Sequence, residues 1–410
     1  MPNIADAAAA PGAAERMPAG FHRLIAAQFF SALADNALLI VTMALLQQRG
    51  LPAWWAPLLK FGFTLSYVVL APVVGPLADA FPKARLMAWM NGVKVLGVLA
   101  LLGGANPIAA FVIVGFGAAA YAPAKYGLVT ELVASRQLVA ANGWLEVTVV
   151  CAVLLGTVFG GVLVSPALAP LWQHRLDALH LLLAVYALAA LLNLGIPDSG
   201  ARYEARSIHP LALLRDFREA NATLWRDALG GLSLAATTLF WGAGATLQFI
   251  VLRWAQEHLG LPLHQASYLQ AAVAVGVVAG AAAAGRFVAL GDARRMLGFG
   301  VALGLMLPLV ASVRSLWLAV PMLVIAGAVG GLMVVPLNAL LQHRGCVLLT
   351  AGRSIAVQGF NENASILAML ALYAALVAID LPIVPLMCGF GLAIALAIGV
   401  LMRRARCARS

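Results

Sequence analysis

Six ionisable side chains stand inside otherwise apolar stretches of this chain: Asp35, Lys60, Lys94, Lys125, Glu146 and Glu362. A charge in hydrocarbon is expensive, so each is a candidate for substrate contact, ion pairing or proton movement. A lysine can receive a phosphate as a point charge, and a carboxylate can meet an amine or neutralise a lysine. Asp35 sits in Ser31-Ala32-Leu33-Ala34-Asp35-Asn36-Ala37, among small and polar residues. Lys125 follows Tyr121-Ala122-Pro123-Ala124, where the proline frees a backbone carbonyl. Glu362 lies in Gln358-Gly359-Phe360-Asn361-Glu362-Asn363, and Phe240-Trp241-Gly242 offers an aromatic surface.

The elements that must position these groups are membrane spans. The chain has 410 residues, 63% hydrophobic and only 10% charged, with a mean hydropathy of +0.95. Soluble domains carry about 25% charged residues, which excludes a soluble globule. Disorder needs low hydrophobicity and is excluded too. Stretches of about 20 apolar residues recur at 23–47, 58–80, 86–105, 108–131, 138–164 and 176–197, then at 227–252, 267–290, 296–313, 316–341, 353–379 and 382–402. The expected organisation is a disordered tail (1–22), a six-helix bundle (23–197), a linker (198–226), a second six-helix bundle (227–402) and a basic tail (403–410). From Leu211 to Trp225 the linker spaces Leu, Phe and Trp among charges, as an amphipathic surface helix or a solvated connector would.

With the N-terminus in the cytoplasm, 19 of the 26 basic residues fall on the inner side. Arg49, Arg175, Arg253 and Arg314 fall outside. This asymmetry predicts both termini inside. The net charge of +10 then needs only anionic lipid as its counterpart, and nucleic acid has no support. Asp35 falls near the midplane and Glu362 near the middle of its span. Lys94, Lys125 and Glu146 fall about 12 Å deep at 1.5 Å per residue, which predicts one shared layer. Structural ion pairing is the alternative to function for Lys94 and Glu146. Lys60, near an outer end, is expected to snorkel to the interface.

Cys151, Cys346, Cys388 and Cys407 are too scattered for a zinc site or disulfide framework. No metal or cofactor is expected. A membrane enzyme would need a motif such as H-x-x-x-x-D, G-x-S-x-G or H-E-x-x-H, and none occurs.

Between spans 2 and 3, Gly75-Pro76-Leu77-Ala78-Asp79-Ala80-Phe81-Pro82-Lys83-Ala84-Arg85 resembles the G-x-L-A-D-x-x-x-[RK]-x-[RK] signature of the major facilitator superfamily. Its glycine permits close helix approach, while its aspartate can pair with Lys83 or Arg85 and cap a neighbouring helix. These four residues are candidates for conformational gating. In span 5, Gly156-x-x-x-Gly160-Gly161 lacks the proline of the superfamily's antiporter motif and reads as plain packing.

Within that superfamily the chain resembles the lysophospholipid transporter (LplT) family. The resemblance rests on AQFFSALADNALL, APVVGPLAD, NGVKVLG, GFGAAAYAPAKYG, ANGWLE, LFWGAGATL, VVPLNALLQHRG and the NEN segment of span 11, spread from residue 27 to 363. It implies an all-α protein of twelve transmembrane helices in two pseudo-symmetric bundles. It also implies movement of lysophospholipids from the outer to the inner leaflet of the bacterial inner membrane, where an acyltransferase and acyl carrier protein synthetase system reacylates them. Polar cavity residues carry over to Asp35, Lys125 and Glu362, with Lys94, Glu146 and Asn363 as neighbours. Asn36, Tyr121, Trp241 and Gln248 complete the expected substrate-contacting set. At Gln248 the family pattern leads one to expect an arginine able to pair with Asp35, so another partner is needed here. The competing reading is a superfamily exporter of drugs or other amphiphilic metabolites. A monomer is expected.

Overall fold

A long apolar segment can satisfy its backbone N–H and C=O groups inside a bilayer only by coiling. The computed structural model describes residues 17–50, 55–165, 177–201, 203, 209–261 and 263–407. Before the linker the helices are α1 (Ala19–Gln48), α2 (Trp55–Ala80), α3 (Lys83–Leu102), α4 (Pro107–Leu132), α5 (Leu138–Leu163) and α6 (Asp177–Leu194). The linker contains α7 (Pro210–Arg226). Beyond it follow α8 (Ala228–Glu257), α9 (Leu263–Phe287), α10 (Leu297–Ala311), α11 (Leu316–Leu348), α12 (Ala351–Ala378) and α13 (Ile383–Cys407).

Each expected span corresponds to one of these helices. Ten are long and apolar enough to cross a membrane. Helix α2 bends by 64° between Leu59–Val69 and Ala71–Ala80, where Pro72 lacks the N–H that would continue the ladder. In α6 the apolar helix is shorter, Ala178–Leu194. Residues 1–16 of the expected tail lie outside the described residues, and α1 already begins at Ala19. Local caps set some of the ends. Asn106 accepts the amides of Ile108 and Ala109 ahead of Pro107 and so starts α4. Asp227 accepts the Gly230 amide and starts α8.

In the first bundle α1 packs on α5 and α6, and α4 on α2 and α3. In the second, α9 packs on α11, α10 on α13 and α8 on α12. Gly156 and Gly160 let α5 touch α1. A Cβ would lie 2.5 Å from the Leu33 carbonyl oxygen at Gly156 and 2.7 Å from that of Ala37 at Gly160. Close packing is therefore their structural role.

The bundles join through α2–α12, α5–α9, α4–α12 and α5–α11. The polar contacts between them use residues beside the α2–α3, α4–α5 and α11–α12 connections, at what we call the basic end. One apolar cluster there draws on both bundles, including Phe21, Val74, Leu128, Leu145, Ala281, Val335 and Ala356. Farther from that end, each bundle keeps its own core. Helix α7 buries Ala220 and Leu224 and exposes Leu211, Leu214 and Trp225. It bears on α2 as well as on α8 and α12.

Candidate functional site

A cavity of about 190 Å³ opens in the first bundle, lined entirely by residues of α1 to α5. Among the expected site residues it exposes Asp35, Asn36, Lys94, Tyr121 and Lys125. Lys60 also lines it, with its ammonium 5.9 Å from the centre of the Phe63 ring. The expectation for Lys60 named only the interface, and the cavity is a second surface that it meets. Position five residues into α2 indicated depth, but only the helix rotation shows which way the side chain faces.

Asp35 has its partner within the same bundle. One oxygen lies 2.7 Å from the Lys94 ammonium, and the other accepts the Tyr186 hydroxyl at 2.7 Å. Lys94 also donates to Ser31 Oγ at 2.9 Å, and Ser31 donates to Asn91 Oδ1 at 2.8 Å. The rings of Tyr121 and Tyr186 face the same ammonium at 5.2 and 5.7 Å. Lys94 is 1% exposed, so this pairing is what makes its charge tolerable. Lys94 thus pairs with Asp35 rather than with Glu146.

Lys125 has no carboxylate within 4 Å among the described residues, and its ammonium lies 4.2 Å from the centre of the Tyr126 ring. Lys125 lies within electrostatic reach of Lys94, Glu146 and Asp35. The Lys94 side chain leaves α3 beside Gly117 of α4, and its ammonium lies by the ring of Tyr121, one turn before Lys125.

The other expected residues are arranged differently. Glu146 is buried, in electrostatic reach of Lys125 and of Glu362 across the bundle interface. Gln358 donates to Glu362 Oε1 at 2.8 Å and to Asn338 Oδ1 at 3.0 Å. Asn363 turns back to the Gly359 carbonyl, and Trp241 stacks edge-on against Phe240. Gln248 has an exposed side chain, and its backbone carbonyl accepts Gln270 Nε2 at 2.8 Å. None of Glu146, Trp241, Gln248, Glu362 or Asn363 lines the cavity. In the second half, Asn338, Gln358 and Glu362 form a connected polar group.

At the basic end, Gly75 of α2 lets that helix approach α12. An added Cβ would lie 3.0 Å from Arg353 Cα. Asp79 then caps the start of α12 from the other bundle, accepting the Gly352 amide at 2.9 Å and the Thr350 hydroxyl. Thr350 makes no cap of its own with its side chain. Lys83 lies 3.7 Å from Asp79 but 2.6 Å from Glu131. Glu131 also accepts Tyr203 and Ser199 hydroxyls at 2.8 and 2.5 Å. Burial, followed by the Glu131 charge, holds the Tyr203 phenol above its ordinary range, so it remains a donor. Arg85, fourth of the expected gating residues, is exposed. Farther along the interface, Asn142 and Gln342 exchange two amide hydrogen bonds of 2.9 Å.

Sequence reasoning missed Tyr186, Glu131, Tyr203 and the Asn142–Gln342 pair as functional parts. A tyrosine in the middle of an apolar span was the one local signal, at Tyr186. The others acquire their roles only from their partners.

A family model described as Major Facilitator Superfamily matches residues 24–345. The lysophospholipid transporter LplT of Yersinia pestis (strain Pestoides F) is 44% identical over 362 residues, covering 88% of this chain and 87% of the relative. A bacterial homologue of the iron transporter ferroportin, solved in an outward-facing state, superposes with a TM-score of 0.73 at 14% identity, covering 95% of this chain and 100% of that one. The human organic anion transporter MFSD10 (TETRAN) gives a TM-score of 0.70 at 14% identity over 93% of this chain and 100% of its own. At such identities the two structures bear on fold alone.

Proposed function

The chain belongs to the lysophospholipid transporter (LplT) family of the major facilitator superfamily, and on that premise we propose that it carries lysophospholipids from the outer to the inner leaflet of a bacterial inner membrane. It is a multi-pass membrane protein. In this reading the basic end, with both termini, faces the cytoplasm and the positive-inside asymmetry sets that orientation. Lysophosphatidylethanolamine is a representative substrate. Its reacylation falls to a cytoplasmic-face acyltransferase and acyl carrier protein synthetase, and the transporter works as a monomer.

The observation that carries the reading is the cavity in the first bundle, where the Lys125 ammonium has no carboxylate within 4 Å among the described residues. A phosphate supplies the missing negative charge. Asp35 or Glu362 receives the headgroup amine, while the single acyl chain stays in hydrocarbon through a lateral opening between helices. The bundles then rock around this site, with separation at the basic end releasing the lipid inward. For that motion the Asp79 cap on α12 and the Asn142–Gln342 pair must open.

Flipping of labelled lysophosphatidylethanolamine in proteoliposomes tests this. Lys125→Ala is expected to slow the initial rate by about tenfold, the loss of roughly 1.4 kcal/mol of headgroup contact. Normal transport by Lys125→Ala or Asp35→Ala would remove those assignments. Absence of flipping by the unsubstituted protein would overturn the function itself.

A further inference from the structure

Helix α4 serves as a ruler for the three cavity lysines. Helices α2 and α4 run side by side in the same direction, with Gly62 against Val112 and Gly115 against Phe63 and Ser66. Lys60 is therefore level with about residue 110 of α4, whereas the Lys94 side chain lies beside Gly117 and Lys125 belongs to α4 itself. At 1.5 Å per residue the backbone levels of Lys60 and Lys125 are about 22 Å apart, and the Lys94 ammonium, by the Tyr121 ring, lies between them within electrostatic reach of Lys125.

The three rungs differ electrically. The middle one is neutralised, because Lys94 is joined to Asp35 at 2.7 Å and screened by two tyrosine rings. The first and third have no carboxylate within 4 Å among the described residues. Their ammonium groups rest near the faces of Phe63 and Tyr126, with Asp35 in longer electrostatic reach of both and Glu146 of Lys125. Lys60 is exposed and lines the cavity that also reaches Lys94 and Lys125. A charge with no carboxylate in direct contact in so confined a space is costly until an anion shares it.

We infer that Lys60 is a phosphate-binding residue at the mouth of the pathway, and that the phosphate passes from Lys60 to Lys125 across the neutral Asp35–Lys94 rung. This rests on the transport reading above and adds to it the station at which the headgroup is first held. A mouth station governs capture, so it acts on half-saturation. A deep station governs completion of the passage, so it acts on maximal rate.

The experiment measures initial uptake of lysophosphatidylethanolamine by proteoliposomes across a concentration series, with an uncharged monoacylglycerol as competing probe. Lys60→Gln should raise the half-saturating concentration about tenfold and change the maximal rate by less than about twofold. Lys60→Arg should restore half-saturation, and Lys125→Gln should instead lower the maximal rate. Inhibition by monoacylglycerol, which has no phosphate, should be equal in wild type and Lys60→Gln. An unchanged half-saturation in Lys60→Gln overturns the inference while leaving transport intact. So does a parallel loss of monoacylglycerol inhibition, which marks a packing role. No uptake by the wild type would instead remove the transport reading, and this inference with it.

Discussion

In the first bundle, Asp35, Lys94, Tyr186, Ser31 and Asn91 form one connected polar group at the wall of an open cavity, with Lys60 and Lys125 lining the same cavity and having no carboxylate within 4 Å among the described residues. In the second bundle, Gln358 ties Asn338 to Glu362 while Asn363 bonds to its own helix, and none of these residues lines that cavity. Polar residues in a span thus have two fates. They can close on one another, which removes the penalty of burial, or leave a surplus of one sign, which creates demand for a ligand. Among the described residues only the first bundle lines that cavity with three lysines, and recognition of an anionic headgroup is proposed there.

The strongest way to break this comparison is to leave Asp35 alone. Lys94→Ala strands its carboxylate and is expected to cost about 3–5 kcal/mol of stability. Unfolding of the detergent-solubilised protein should move to markedly lower temperature. Asp35→Asn placed in the same chain should recover most of the loss without recovering transport. Unchanged unfolding in Lys94→Ala would show that the pair does not carry the first bundle's polar group.

A smaller effect is expected where the two bundles meet. Asp79→Asn keeps an acceptor for the Gly352 amide but removes the negative charge at the start of α12. The change is worth about 1 kcal/mol, or roughly a fivefold shift in population towards a separated basic end. Spin-label distances between α2 and α12 would register it, and an unaltered distance distribution would dismiss Asp79 as a latch.

The smallest effect belongs to the second bundle. Arg344 grips Asp227 through two hydrogen bonds, of 3.1 and 2.5 Å, and its guanidinium holds the Asp227 carboxyl below the usual range. A lowered folded-state value means the stabilisation is fully present above the unfolded value of about 3.9 and is lost as pH falls through the folded one. Arg344→Gln should therefore cost no more than about 1 kcal/mol, by an amount that stays level from about pH 5 to about pH 8. A loss that grew steeply across that window would implicate another titrating group.

Legibility differed among particular residues. Gly75 and Asp79 were readable because their motif puts the glycine and carboxylate one turn apart at a helix end, where close approach and capping are the available uses. Asp35 and Lys125 were readable because a charge in an apolar run is conspicuous by itself. Their partners were not. Gln248 drew attention as the missing counter-charge to Asp35, yet Lys94 and Tyr186 fill that role. Lys60 drew little, and the rotation of α2 turned it into the cavity.

The sequence by itself determined the order of the apolar helices, the all-helical class and the presence of the superfamily motif. Each follows from local composition, since a run of about 20 apolar residues must coil wherever its neighbours lie. Only the tertiary structure decided that Asp35 meets Lys94, 59 residues away, and Tyr186, 151 residues away. It alone placed the cap of α12 on a carboxylate 273 residues distant from Gly352. A hydrogen bond or ion pair needs two faces brought within about 3 Å, and which faces meet is set by helix rotation and packing across the whole chain.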